Sequence, residues 1–341
     1  MDAPAAAVLT AKDFTTDQEV RWCPGCGDYA ILKAVQRALA DIGTPPEKVV
    51  FVSGIGCSSR FPYYVNTYGF HTIHGRAAAI ATGVKIANPE LDVWIASGDG
   101  DSLSIGGNHL LHLLRRNLDV QYLLFNNEIY GLTKGQYSPT SRVGTRSPST
   151  PAGSVDRPIS AAAFALGAGG RFVARAVDTD QKTMPALLTR AHAHKGTSFV
   201  EILQNCPVYN DDVFAAVTDK AVAADHQIAT VHGEPLIFGK DRDRGLRITE
   251  NGLGLEVVRI GENGITADDI LVHDETNRPL AGLLAEMAPP RFPTAVGVIY
   301  CDPAETYEAG VAAQMRAAAE KNPDADLVTL LRRGATWKVE A

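Results

Sequence analysis

Between residues 49 and 206, short and nearly continuous apolar runs alternate with longer segments of helical period, and this alternation narrows the possible folds more than any other feature of the chain. The runs at 49–52, 92–96, 120–125, 171–174 and 198–203 read as strands, apolar on both faces as strands buried in a parallel sheet are. Segments 75–87, 104–117, 160–166 and 180–193 carry apolar residues at helical spacing with few breakers, and 28–42 makes a further helix ahead of the first strand. The pattern predicts an α/β fold, a doubly wound and mostly parallel sheet with crossover helices. Residues 137–158 are rich in Ser, Thr, Pro and Gly without apolar period, so a long loop lying over a site is expected there. Past Cys206 the pattern weakens: 208–245 is mixed, 241–244 is a charge run, and one late strand falls at 296–300. Three parts are expected: an N-terminal arm at 1–15, the sheet domain at 16–208 and a C-terminal extension at 209–341.

A formal net charge of -7 over 341 residues argues against the broad basic face of a nucleic-acid binder. No run of about 18 apolar residues is present, and the alanine-rich start lacks the basic region and apolar core of a signal peptide. A cytoplasmic protein with neither nucleic-acid nor membrane partners is the expectation. Five cysteines are too sparse for a disulfide scaffold, which points to metal binding, redox chemistry or simple burial.

Gly98-Asp99-Gly100-Asp101 follows the second run directly, and Asn126-Asn127 closes the third, one βα unit later. Both loops leave the carboxyl edge of a doubly wound sheet, where ligands bind, so the Asp99 carboxylate and the Asn127 amide oxygen can meet one hard cation. The glycines let backbone N–H groups approach phosphate, and a helix beginning near Ser104 is expected to add its positive end. Either half alone reads as readily as a tight turn or a strand-end cap; the pair, in this order after two strands, favours a cofactor site. Residues 54–59 lack the third glycine of a dinucleotide fingerprint, and residues 131–135 have the wrong spacing for a P-loop.

Cys23 and Cys26 form a C-x-x-C bent by Pro24 and Gly25, Cys57 follows the first strand, and Cys206 ends the last core strand, so four thiols can converge at that same edge. Four thiolates suit structural zinc or an iron–sulfur cluster, and the lack of a second C-x-x-C favours [4Fe–4S]. A thioredoxin-like redox pair is the lesser reading. Cys301 also ends a strand run; it competes with Cys206 as fourth ligand or is an inert core residue. His109 and His112, spaced i, i+3 without a carboxylate nearby in sequence, read as ordinary helix residues.

The Gly98-Asp99-Gly100 and Asn126-Asn127 pair resembles the motif by which thiamine-diphosphate enzymes bridge a divalent cation to the diphosphate. Together with the C-x-x-C, residues 54–60 (Gly-Ile-Gly-Cys-Ser-Ser-Arg), residues 71–77, residues 126–136 and Cys206-Pro207, it resembles the β subunit of 2-oxoacid:ferredoxin oxidoreductases, above all the 2-oxoglutarate branch. The likeness covers 16–215, with weaker support at 292–308. It implies a thiamine-diphosphate-binding fold with thiamine diphosphate, Mg2+ and a [4Fe–4S] cluster as cofactors. By that resemblance Asp99 and Asn127 are side-chain ligands of Mg2+ and Ile129 a carbonyl ligand, while Cys23, Cys26, Cys57 and Cys206 hold the cluster. Ile55, Gly56, Cys57, Ser58, His74, Gly98, Gly100, Asp101, Gly131 and Leu132 would surround the cofactor, with His74 near the diphosphate; the bland reading of His74 is a helix-start histidine bonded to backbone.

The implied reaction interconverts 2-oxoglutarate plus coenzyme A with succinyl-CoA plus CO2, passing electrons to or from ferredoxin. Leu132 and Lys134 follow Asn127, and Lys134 is placed to meet the distal carboxylate of 2-oxoglutarate, or else is a solvated lysine. No part of the chain reads as the second domain that holds the aminopyrimidine, so an α subunit, in an α2β2 assembly, is expected to complete the site. The alternatives are the same chemistry on pyruvate or a branched 2-oxoacid, a non-redox thiamine decarboxylase with structural zinc, and a non-catalytic electron-transfer subunit.

Overall fold

The computed structural model describes residues 8–323 and 325–340, so residues 1–7 of the expected arm lie outside the described residues. Strands β1 (Val49–Ser53), β2 (Tyr68–His71), β3 (Asp92–Gly98), β4 (Gln121–Asn126), β5 (Phe172–Val177), β6 (Ser198–Leu203), β7 (Gln227–Thr230) and β8 (Thr294–Cys301) form one sheet in the order β2-β1-β3-β4-β6-β5-β8-β7. The first six run parallel; β8 runs antiparallel to β5, and β7 runs parallel to β8. Strands β1, β4, β5 and β6 are buried at every position, which is why their sequences are mostly apolar, with the charges of Arg175 and Glu201 paired inside.

Helices α1 (Asp28–Ile42), α2 (Ala77–Ala87), α3 (Asp99–Leu103), α4 (Gly107–Arg116), α5 (Ala161–Gly167), α6 (Met184–Ala193), α7 (Arg278–Ala285) and α8 (Tyr307–Lys321) accompany the sheet. Ile31, Leu39 and Leu188 of α1 and α6 pack on one face of the sheet with Phe51 and Trp94. Ala81, Leu110, Ala162 and Leu280 of α2, α4, α5 and α7 pack on the other with Val52 and Ile95. The doubly wound α/β architecture follows from these two layers.

Three features depart from the pattern read in the sequence. The helix expected from Ser104 begins at Asp99, breaks at Ser104 and resumes at Gly107, so Asp99 stands in the first turn of α3. Strand β2 was not foreshadowed: all four of its residues are exposed at the sheet edge, with no buried face to imprint an apolar pattern. Residues 209–341 do not simply extend a finished domain, because β7 and β8 come from them and complete the sheet. That segment also forms a small antiparallel sheet from Ile237–Phe238, Arg244–Ile248 and Leu255–Arg259. The 137–158 loop carries no helix, and past Tyr137 only an isolated bridge between Ser147 and Thr150. Among the described residues no helix is long and apolar enough to cross a membrane.

Candidate active site

The loops leaving β1, β2 and β3 are tied together by one buried carboxylate. Asp101 Oδ1 accepts from the backbone N–H groups of Ile55 (3.1 Å) and Gly75 (2.7 Å) and from His74 Nδ1 (2.5 Å), and its Oδ2 accepts from Ser97 Oγ (2.6 Å). A Cβ on Gly54 would stand 1.8 Å from Asp101 Oδ2, so only glycine lets the first loop reach this carboxylate. Asp101, expected in the cofactor pocket, thus spends its side chain on positioning that pocket's loops. His74 is oriented by it through Nδ1 rather than by backbone, and its side chain is 40% exposed. Ser58 Oγ lies 3.5 Å from where a Cβ of Gly98 would be, which sets the 55–58 loop against the start of α3.

Asp99 is 2% exposed, and its Oδ2 accepts from Ser138 Oγ (2.5 Å) and Thr140 Oγ1 (2.6 Å) in the long loop. Burial pushes its carboxyl above the usual range, and the two hydroxyls and the backbone N–H groups of Gly100 and of Asp99 itself pull it back. Keeping a carboxylate charged at this burial is costly, and a bound cation offsets that cost. Thr140 Oγ1 also lies 2.9 Å from Asn126 Oδ1, which brings Asp99 and the Asn126-Asn127 turn to one place. Asn126 is an anchor: its Nδ2 donates to Glu201 Oε1 (2.8 Å), itself paired with buried Arg175 (2.8 Å) on the wall of a cavity of about 580 Å3.

Asn127 donates Nδ2 to Gln204 Oε1 (2.7 Å), and its Oδ1 accepts only a longer bond from Ile129 N (3.2 Å). Between them Glu128 takes a positive φ of 55°, and burial pushes its carboxyl up to about 7 against the opposing pull of Arg142. Ile129 opens a hairpin, Ile129–Tyr130 against Gln136–Tyr137, and Tyr130 donates its hydroxyl to Gly100 O (3.0 Å). The Tyr130 ring fills the space a Cβ of Gly100 would need, at 2.2 Å from Cε1, which explains the second glycine of the motif. Gly131, Leu132 and Lys134 form the hairpin tip; Leu132 is exposed, Lys134 has a φ of 77°, and Tyr209 packs on Gly135.

The thiols gather on the other side of that hairpin. Where Gly131 would carry a Cβ, Cys206 Sγ is 3.5 Å away and Cys57 Sγ 3.7 Å. The C-x-x-C loop is stitched to them: Gly27 N donates to Asn205 O (3.1 Å), Gln204 Nε2 to Cys26 Sγ (3.3 Å), and Trp22 Nε1 to Cys57 O (2.7 Å). Burial first, then Asp28, Cys206 and Cys23, push the Cys57 thiol up to about 12, and Cys26 is raised by burial, Asp28, Cys57 and Cys206. Among the described residues no three His, Cys, Asp or Glu side chains gather closely enough for a single metal ion.

Cys301 does not compete with Cys206. It pairs with Phe172, the first residue of β5, so antiparallel β8 delivers it to the amino edge of the sheet, where its Sγ lies 3.8 Å from His194 Nδ1. His109 and His112 remain on α4 and join no metal-binding group among the described residues. Ser138, Thr140 and Gln204 were not singled out from the sequence; the only hint was position, two in the unpatterned loop and one beside Cys206.

Residues 54–202 match the family model "Thiamine pyrophosphate enzyme, C-terminal TPP binding domain". Over 334 residues the chain is 48% identical to 2-oxoglutarate oxidoreductase subunit KorB of Mycobacterium tuberculosis, covering 96% of this chain and 88% of that one. It is 49% identical over 198 residues to 2-oxoacid:ferredoxin oxidoreductase 1, subunit beta, of Aeropyrum pernix, which covers 58% of this chain and 62% of that one. The solved 2-oxoglutarate:ferredoxin oxidoreductase from Magnetococcus marinus, with 2-oxoglutarate, coenzyme A and succinyl-CoA bound, superposes with a TM-score of 0.76 at 33% identity, covering 96% of this chain and 97% of that one. With its thiamine-pyrophosphate-type domain and this likeness along nearly its whole length, the chain belongs to the β subunits of the 2-oxoacid:ferredoxin oxidoreductases, in the 2-oxoglutarate branch.

Proposed function

We propose that this chain, completed by an α subunit in an α2β2 assembly, interconverts 2-oxoglutarate plus coenzyme A with succinyl-CoA plus CO2, exchanging electrons with ferredoxin. The observation that carries the reading is the placement of buried Asp99 and of the Cys57 and Cys206 thiols against the same short hairpin. Asp99, the Asn127 amide oxygen and the Ile129 carbonyl fit one Mg2+, a hard cation that takes oxygen ligands. Cys23, Cys26, Cys57 and Cys206 supply the four thiolates that hold a [4Fe–4S] cluster, with Cys57 and Cys206 meeting at Gly131 and Cys26 reached from Gln204. When bound, thiamine diphosphate supplies the nucleophilic carbon and the electron sink for decarboxylation, and the cluster accepts electrons singly.

The remaining work falls to this chain's own side chains. Ile55, Gly56 and Ser58 line the rim with Gly98 and Gly100, and His74, held through Nδ1 by Asp101, offers Nε2 to the diphosphate. Lys134 at the hairpin tip meets the distal carboxylate of the substrate, with Leu132 packing beside it. Exposed Tyr68, Phe70, Ile73 and Ile105 make an apolar surface beside His74 that suits the α subunit, the part that would complete the aminopyrimidine end. Five free cysteines and a ferredoxin partner suit the reducing cytoplasm.

Anaerobic co-purification with the α subunit, followed by iron, sulfide, magnesium and thiamine diphosphate analysis and coenzyme-A-dependent viologen reduction, tests this reading. Stoichiometric cofactors and fastest reduction with 2-oxoglutarate are expected. Zinc in place of iron would favour a non-redox decarboxylase, and faster reduction with pyruvate or a branched 2-oxoacid would change the substrate.

A further inference from the structure

Gln204 lies between the two halves of the site and touches both. It follows Leu203 at the end of β6, its backbone N–H donates to Asn126 O (2.8 Å), and it is 1% exposed. Its Oε1 accepts from Asn127 Nδ2 at 2.7 Å, while Nε2 donates one hydrogen to Cys26 Sγ at 3.3 Å and the other to Asn205 O at 2.6 Å. Both donor hydrogens and the carbonyl of a primary amide are thereby committed, so the side chain cannot turn over without losing bonds at both ends. The approach depends on Gly27, where a Cβ would stand 2.9 Å from Gln204 Cγ.

Each end has a chemical consequence. Holding Asn127 by its Nδ2 leaves Oδ1 as the end of that amide presented to a cation; a reversed amide would offer two N–H groups to a positive charge. Outer partners of this kind orient ligands and carry much of a site's affinity. The N–H directed at Cys26 favours negative charge on that sulfur, and hydrogen bonds to cluster sulfurs are among the factors that set a cluster's potential. Resting on the cofactors proposed above, we propose that Gln204 is a positioning residue that couples the two centres: one side chain sets the Asn127 amide for the cation and tunes the Cys26 thiolate of the cluster.

The test uses the complex with the α subunit and compares wild type, Gln204→Glu and Gln204→Leu. Two readouts besides turnover decide it: the midpoint potential of the cluster by EPR-monitored redox titration, and Mn2+ affinity in the presence of thiamine diphosphate. Wild type lacking iron or thiamine diphosphate would remove the functional reading and this inference with it. In a loaded wild type, Gln204→Leu is expected to lower the potential and weaken Mn2+ binding ~10- to 100-fold. Gln204→Glu keeps an acceptor for Asn127 Nδ2 but loses the donor to Cys26, so its potential should fall while Mn2+ affinity stays close to wild type. Unchanged potential and affinity in a Gln204→Leu complex that retains its iron would overturn the coupling. Should that variant lose iron, an unchanged potential in Gln204→Glu would overturn it instead.

Discussion

Asp99 is held inside the protein with two hydroxyls for company, and those hydroxyls keep its charged form accessible despite burial. Ser138→Ala and Thr140→Val should therefore each weaken Mg2+-dependent thiamine diphosphate binding ~10-fold or more, the range for lost outer partners of a metal ligand. Titrating the cofactor-free complex by intrinsic fluorescence reads this directly, and affinities equal to wild type would make the hydroxyls spectators. At the hairpin tip, Lys134→Ala should raise the apparent KM for 2-oxoglutarate more than for pyruvate, since only the former carries a distal carboxylate. An equal rise for both would take Lys134 out of substrate recognition. The meeting of Asp99 with the Asn126-Asn127 turn, and of Cys57 with Cys206, was legible in the sequence because each follows a strand that a parallel sheet delivers to one edge. Ser138, Thr140 and Gln204 were not, because Ser, Thr and Gln fill ordinary loops and no spacing rule links residue 138 to residue 99 or residue 204 to residue 26.

Strand direction decides which ends meet, and an apolar run carries no record of its direction. Both β6 and β8 were readable as strands, yet β6 delivers Cys206 to the carboxyl edge and antiparallel β8 delivers Cys301 to the opposite one. Cys301→Ser should accordingly keep the iron content of wild type, whereas Cys206→Ser should lose most of it; comparable iron loss in both variants would contradict that assignment of edges. The same limit explains β2, whose exposed edge position leaves no alternating pattern, and the break between α3 and α4. There a Cβ at Gly106 would meet Asp101 O at 2.3 Å, a tertiary contact invisible to helical periodicity. The central strands and α1 were legible for the opposite reason, since complete burial wrote mostly apolar runs into β1, β4, β5 and β6 and an apolar stripe into α1.

At the scale of the whole molecule, a buried histidine ties the stretch ahead of α7 to β8, joining two parts of the C-terminal segment. His273 is 1% exposed, its Nε2 is 2.9 Å from Val298 O on β8, and its Nδ1 is buried without a partner among the described residues. Burial holds its pKa below the usual imidazole range; the bond to Val298 and the charges of Glu275 and Asp274 oppose that pull, while His232 adds to it. Below about pH 6.5 an unfolded histidine takes up a proton that the folded one still refuses, so the unfolded state binds more protons and stability is lost as the pH is lowered. One such group contributes at most ~1.4 kcal/mol per pH unit through that window. Asp28 and Glu128, both pushed up to about 7 by burial, act in the opposite sense, because their folded forms hold protons that the unfolded chain has released. The contribution of His273 is therefore read as a difference against His273→Gln, whose amide can still donate to Val298 O but does not titrate. From about pH 7 down to about pH 5 the thermal midpoint of the variant should gain steadily on wild type. Parallel midpoints across that range would mean that the imidazole takes up its proton inside the fold, and that the contact with β8 does not depend on a neutral histidine.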